Sequence, residues 1–229
     1  MKKFKIFFFI LLFLSFFNIL KSAEQIDPIK IDWSFKGLLG KFDRASLQRG
    51  FQVYKEVCAS CHSMQYLSYR NLGEEGGPEF SEEEVKAIAA SFEVTDGPDA
   101  QGEMFTRPGR PSDKFVSPYP NVNAAAAANG GAYPPDMSVL VKARKGGADY
   151  IYSVLVGYED PPPGVTLDEG VYYNKYMIGN KIKMPNNLSD GLVEYADGTS
   201  STVDQMAKDV TTFLSWAAEP ELESRHKTG

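Results

Sequence analysis

Apolar residues return at helical spacing in five stretches of this chain, and most of these stretches carry their own start signal. Asp43 stands ahead of Leu47, Gly50, Phe51, Tyr54 and Val57, which share one face and predict a helix over about residues 43–57. Ser81-Glu82-Glu83-Glu84 has the capping-box spacing, and Val85, Ile88, Ala89 and Phe92 follow on a second amphipathic helix over 81–92. Asp136, behind Pro134-Pro135, can cap a third over 136–145, stopped by Gly146-Gly147, with a short fourth over 148–156. The strongest signal comes last: Thr202 to Gln205 is another capping box, and Val203, Met206, Ala207, Val210, Phe213, Leu214 and Ala217 line one side of a helix over 202–218 that ends before Pro220. Strand pairs and internal repeats do not stand out, so the fold class expected is mainly α.

Between the helices the chain is irregular. Most of its 14 prolines and 20 glycines lie between residues 73 and 198, and long ordered loops inside one compact domain usually serve a site. The first 23 residues differ from the rest. A basic start (Met1-Lys2-Lys3, Lys5), an apolar run from Ile6 to Leu20 and small residues at Ser22-Ala23 have the layout of an export signal, predicting a signal peptide over 1–23 and a single domain over 24–229. Lys21 sits where such a signal usually places a small residue, so an uncleaved anchor is the runner-up, although the run is short for a bilayer span. Four of the 24 basic residues and none of the 30 acidic ones lie in that segment. The rest is therefore strongly acidic, which argues against nucleic acid and for a basic partner.

The chemistry concentrates in five residues. Cys58-Ala59-Ser60-Cys61-His62 holds both cysteines of the chain and one of its two histidines. Two thiols at this spacing add across the two vinyl groups of a porphyrin, and the next residue supplies an imidazole to the iron, so one covalently bound haem c is the cofactor expected. A thioredoxin-type motif belongs at a strand end, and this one follows a helical pattern. A zinc site needs about four ligands, and the only other histidine is His226 in the polar tail. A plain disulfide has no use for His62. Export suits the haem reading, because it brings the thiols into an oxidising compartment. Gly50, eight residues ahead of Cys58, would admit a crossing helix carrying Phe213 and Leu214. Terminal helices crossing beside the motif resemble the class I cytochrome c fold.

A second axial ligand decides between electron transfer and an open-iron haem enzyme. The candidates are Met64, Met104, Met137, Met177, Met184 and Met206. Met64 is too near His62 to reach the opposite haem face, and Met137 and Met206 occupy apolar helix positions where a core role is the default. Met184 lies in a loop of Gly, Asn and Lys stiffened by Pro185. Met177 shares that loop, Met104 is a weaker competitor, and spacing alone leaves the choice open. Tyr54, Tyr66 and Tyr69 are near enough to the motif for packing either on the porphyrin or in the core.

Several longer segments carry a family resemblance. Arg49-Gly50-Phe51-Gln52-Val53-Tyr54 leads into the haem motif; Asp96-Gly97-Pro98, Gly102-Glu103-Met104-Phe105 and Arg107-Pro108-Gly109 follow. Then come Asn129 to Asp136, Ala143 to Tyr150, and Ala207-Lys208-Asp209-Val210 with Phe213-Leu214-Ser215-Trp216-Ala217-Ala218-Glu219-Pro220-Glu221. From about residue 33 onward these resemble the cytochrome c1 family in order. The resemblance implies an electron carrier, not an enzyme by itself: the haem subunit of a quinol–cytochrome c oxidoreductase. It implies cytochrome b as neighbour, the Rieske iron–sulfur protein as donor and a c-type cytochrome as acceptor. It places the domain on the outer, periplasmic face of a bacterial inner membrane. It also implies thioethers from Cys58 and Cys61, His62 as proximal ligand, and Met184, ahead of Glu194-Tyr195-Ala196-Asp197-Gly198-Thr199, as distal ligand. Family members carry a membrane helix just beyond the position of Pro220, so an anchor is expected there, while the residues to Gly229 are polar. Many members place an arginine near a haem propionate where Ala126 stands here, leaving Arg107, Arg110 or Arg144 to serve. Acidic segments at Glu74-Glu75, Glu82 to Glu84 and Glu159-Asp160 are candidate steering charges, the helix-start run Glu82 to Glu84 fitting better as helix N-terminal charge.

Overall fold

The computed structural model describes residues 26–228, so the signal-peptide reading of residues 1–23 lies outside the described residues. Among the described residues six α-helices dominate: α1 (Arg44–Glu56), α2 (Glu82–Ala90), α3 (Val122–Ala128), α4 (Gly147–Val156), α5 (Val203–Ala218) and α6 (Leu222–Thr228). The capping residues act as such. Asp43 accepts from Ser46 N at 2.9 Å, Ser81 and Glu84 bond reciprocally, and Thr202 accepts from Gln205 N at 3.2 Å.

The core is built where α1 crosses α5. A Cβ added to Gly50 would stand 2.1 Å from the Asp209 carbonyl oxygen and 2.7 Å from Phe213 Cβ. Only glycine permits that approach. Around the crossing, Phe51, Tyr54, Phe115, Phe213 and Trp216 form a buried aromatic cluster with ring centroids 5.5–6.2 Å apart. The crossing also holds a buried charge. Asp209, with no exposed surface, takes a two-pronged bond from Arg49 (2.9 and 3.0 Å) and further bonds from Ser46 Oγ (2.7 Å) and Gln205 (3.1 Å). A buried carboxylate is tolerable only with its lone pairs occupied in this way.

The extended N-terminal segment closes the same domain. Trp33 Nε1 donates to the buried Asp149 of α4 at 2.7 Å, Trp33 stacks on Phe35, and the Phe35 ring meets a tilted Phe42 ring at 4.9 Å. Glu223 of α6 receives Phe42 N at 2.9 Å and both arms of Arg44. This terminal-helix crossing is the class I cytochrome c architecture. Among the described residues no helix is long and apolar enough to cross a membrane.

Three features depart from the sequence reading. Residues 136–145 form successive turns instead of a helix, because the Asp136 carboxylate is engaged by Ser63 and Gln65 across the fold and the Met137 amide donates to Ser63 O at 2.8 Å. Helix α3 was not anticipated; its alanines lack an apolar face, and Asn121 caps it by accepting from Ala124 N at 2.9 Å. Two antiparallel pairs are present, β1 (Glu93–Asp96) with β2 (Phe105–Pro108) and β3 (Tyr172–Tyr173) with β4 (Lys181–Ile182). They are short and have no buried face, so no apolar alternation announced them.

Candidate haem site

Helix α1 delivers the Cys-x-x-Cys-His segment. Past Glu56 the chain tightens into a 3-10 turn over Cys58–Ser60, with Cys61 N and His62 N both donating to Cys58 O at 3.1 and 2.9 Å. This turn brings Cys58, Cys61 and His62 to one wall of a cavity of about 490 Å³, counting the space at its open mouth. Val57, Met137, Leu155, Leu188 and Val210 make most of the lining apolar, and Met184, Pro185, Asn186 and Asn187 come from the loop after β4.

The two thiols are free, and burial, reinforced by Cys61, pushes the Cys58 thiol up to about 12. A thiol held protonated in this way is the opposite of the low-pKa nucleophile of a redox Cys-x-x-Cys. Among the described residues no group of three or more His, Cys, Asp or Glu is placed to hold a metal ion. His62 is buried, and its Nδ1 lies 2.8 Å from the Pro135 carbonyl. A carbonyl only accepts, so Nδ1 carries the proton and Nε2 keeps its lone pair for a metal. Burial lowers the pKa of His62, against the opposing pull of Pro135 and Asp136, which keeps that lone pair available at neutral pH.

The methionines separate by position. Met64 and Met206 are fully buried core residues, and Met104 is 59% exposed. Met177 turns elsewhere, its sulfur accepting from the Tyr150 hydroxyl at 3.1 Å. Met184 lines the cavity with the motif, and its carbonyl accepts from Tyr158 Oη at 2.9 Å. Met137, read from sequence as a core helix position, also lines the cavity, but its backbone is tied to Ser63 on the His62 wall.

Sequence reasoning missed Tyr158, Leu155 and Asn186 as lining residues. No periodicity or motif marked Tyr158 as a lining residue; the adjacent Glu159-Asp160 pointed only to surface charge. The tyrosines near the motif are elsewhere: Tyr54 and Tyr69 are core residues, Tyr69 stacking on Phe92 and Phe115, while Tyr66 is 68% exposed. Of the candidate arginines, Arg107 is committed to Asp96 and Asp113, leaving Arg110 and Arg144. Several acidic side chains are also paired, Glu75 with Lys227, Glu82 with Lys86 and Glu159 with Lys175.

A terminal-helix crossing beside Cys-x-x-Cys-His, above an apolar cavity with a methionine loop, defines a c-type cytochrome domain. The profile of the cytochrome C1 family matches residues 33–229. The chain is 56% identical over 197 residues to the mitochondrial cytochrome c1-2 haem protein of Solanum tuberosum, covering 86% of this chain and 75% of that protein. It is 50% identical over 216 residues to cytochrome c1 of Rhodospirillum rubrum, covering 87% and 78%. A protein named cytochrome b/c1 in Bradyrhizobium diazoefficiens is 53% identical over 216 residues, and the match spans 86% of this chain but 31% of that protein. The chain belongs to the cytochrome c1 family, a family of haem electron carriers that are not enzymes by themselves.

Proposed function

We infer that this domain carries one haem c, tethered by thioethers from Cys58 and Cys61, with His62 as proximal and Met184 as distal iron ligand. On this reading it works in the membrane-bound cytochrome bc1 complex beside cytochrome b, on the outer face of the membrane. It takes one electron from the Rieske iron–sulfur protein and passes it to a c-type cytochrome. The observation that carries the reading is that one cavity is lined by both thiols, an imidazole with its Nε2 lone pair free, and the Met184 loop. The donor set fits the group, since imidazole with thioether suits a low-spin carrier iron.

The haem, when bound, supplies a one-electron ferric/ferrous couple. The polypeptide does the rest. Pro135 fixes the His62 tautomer. The apolar lining would keep water from the iron and would favour its less charged ferrous state. Tyr158 holds the Met184 backbone. The family name of relatives supports the complex; one from Candida albicans is named as a cytochrome b-c1 complex catalytic subunit. Surplus acidity, net −6 over the whole chain, suits a basic acceptor in a brief contact.

The test is Met184→Leu, expressed in a host that exports and attaches haem. The pyridine haemochrome should show the same covalent haem as the parent. The midpoint potential should fall, and the ferrous protein should bind carbon monoxide, which the parent should not. An unchanged potential with no carbon monoxide binding removes Met184 from the site.

A further inference from the structure

Pro135–Ser138 is joined to residues 62–66 by five hydrogen bonds. One acts directly on the imidazole, from His62 Nδ1 to Pro135 O at 2.8 Å. The other four fix where that carbonyl stands. Met137 N donates to Ser63 O at 2.8 Å, Ser63 Oγ to Asp136 Oδ2 at 2.7 Å, Gln65 N to the same oxygen at 2.9 Å, and Tyr66 N to Ser138 Oγ at 3.1 Å. Asp136 Oδ1 meanwhile accepts from Ser138 N at 2.9 Å, closing a tight turn within its own segment. The carboxylate is therefore the hub between the two segments, one oxygen for each. Burial pushes its pKa up, but the bonds from Ser138, Gln65 and Ser63 outweigh burial and hold it below the usual carboxylate range. It is an anion at neutral pH.

We propose that Asp136 is a positioning residue of the haem site, holding the Pro135 carbonyl against His62 Nδ1 and thereby setting the balance between ferric and ferrous iron. This rests on His62 being the proximal ligand. An acceptor held on Nδ1–H raises the basicity of the imidazole, which favours the ferric state. A fixed negative charge nearby favours the same state through Coulomb attraction. The charge is lost with the carboxylate and the hold on the Pro135 carbonyl weakens, so its removal should favour ferrous iron. A merely structural role predicts the reverse, because a loosened pocket admits water and weakens the methionine bond, favouring ferric iron. The sign of the change therefore distinguishes the two roles.

Asp136→Asn holoprotein is compared with the parent by pyridine haemochrome and potentiometric titration. At fixed ambient potential its ferrous-to-ferric ratio should rise between threefold and tenfold, about 30–60 mV for a one-electron couple. The His62 Nδ1 proton of the ferrous protein should exchange with solvent at least tenfold faster. Ser63→Ala, which keeps the charge but removes one donor to it, should move both readings the same way by less. An unchanged ratio in Asp136→Asn, or a shift toward ferric iron, overturns the proposal. Should that variant not yield holoprotein, Ser63→Ala decides, and unchanged exchange and ratio there overturn it equally. A parent without covalent haem would sink the functional reading instead, and the haemochrome reports that separately.

Discussion

The two walls of the cavity are built to different standards. On the His62 side, the motif sits in a 3-10 turn at the end of α1, is cross-linked to residues 135–138 by five hydrogen bonds, and continues from the α1–α5 crossing. On the Met184 side, a loop with exposed Pro185, Asn186 and Asn187 is held at the methionine by one hydroxyl-to-carbonyl bond from Tyr158. A wall that would keep the proposed covalent haem can be rigid. The Met184 wall carries exposed residues, and at the methionine one hydrogen bond holds its backbone. Local opening follows that difference, since segments with few buried contacts open at the least cost.

The comparison breaks first if the walls prove interchangeable. His62→Ala should abolish a stable holoprotein, whereas Met184→Leu should keep its covalent haem; absorption spectra and haem staining of the two purified proteins check this. Equal haem content in both would erase the asymmetry. Next in size is Gly50→Ala, which acts behind the rigid wall. Alanine is favoured over glycine in a helix by about 1 kcal/mol. Here the added methyl would meet the Asp209 carbonyl at 2.1 Å, and parting the helices disturbs the buried Arg49–Asp209 pair as well. Crowding wins, and a loss of about 3 kcal/mol or more is expected from the denaturant midpoint. An unchanged midpoint would show that the crossing is looser than its geometry.

This asymmetry also explains what could be read from the sequence. The rigid wall announces itself, because caps, helical period and a five-residue motif are local signals: Asp43, the α1 stripe, Gly50 and Cys58 to His62 were all legible. The choice of Met184 over Met177 was not legible from spacing, since both lie in one irregular loop. The proposal of Met184 rests on contacts that spacing does not reveal, Tyr158 bonding its backbone and Tyr150 occupying the Met177 sulfur. The failed helix over 136–145 has the same origin. Asp136 followed by apolar residues looks like a cap, yet its carboxylate bonds to Ser63 and Gln65, more than 70 positions earlier. Long-range partners of this kind leave no periodic trace. Helix α3 was missed for the opposite reason, as an alanine run has high propensity but no face to read.

The finest test addresses the bond that holds the Met184 backbone, from Tyr158. Tyr158→Phe keeps the ring that lines the cavity and removes only the hydroxyl that donates to the Met184 carbonyl at 2.9 Å. That carbonyl lies beside exposed residues, so water can replace the lost donor and the net cost is about 1 kcal/mol. A loop destabilised by that amount opens about fivefold more often. Added imidazole, which enters only when the methionine leaves, should therefore bind the ferric protein about fivefold tighter, as read by spectrophotometric titration. Asp136→Asn, on the other wall, should leave imidazole affinity within twofold of the parent. If Tyr158→Phe binds no tighter, the loop is held elsewhere, and Lys183, whose Nζ donates to Gly130 O at 2.9 Å, becomes the residue to change next.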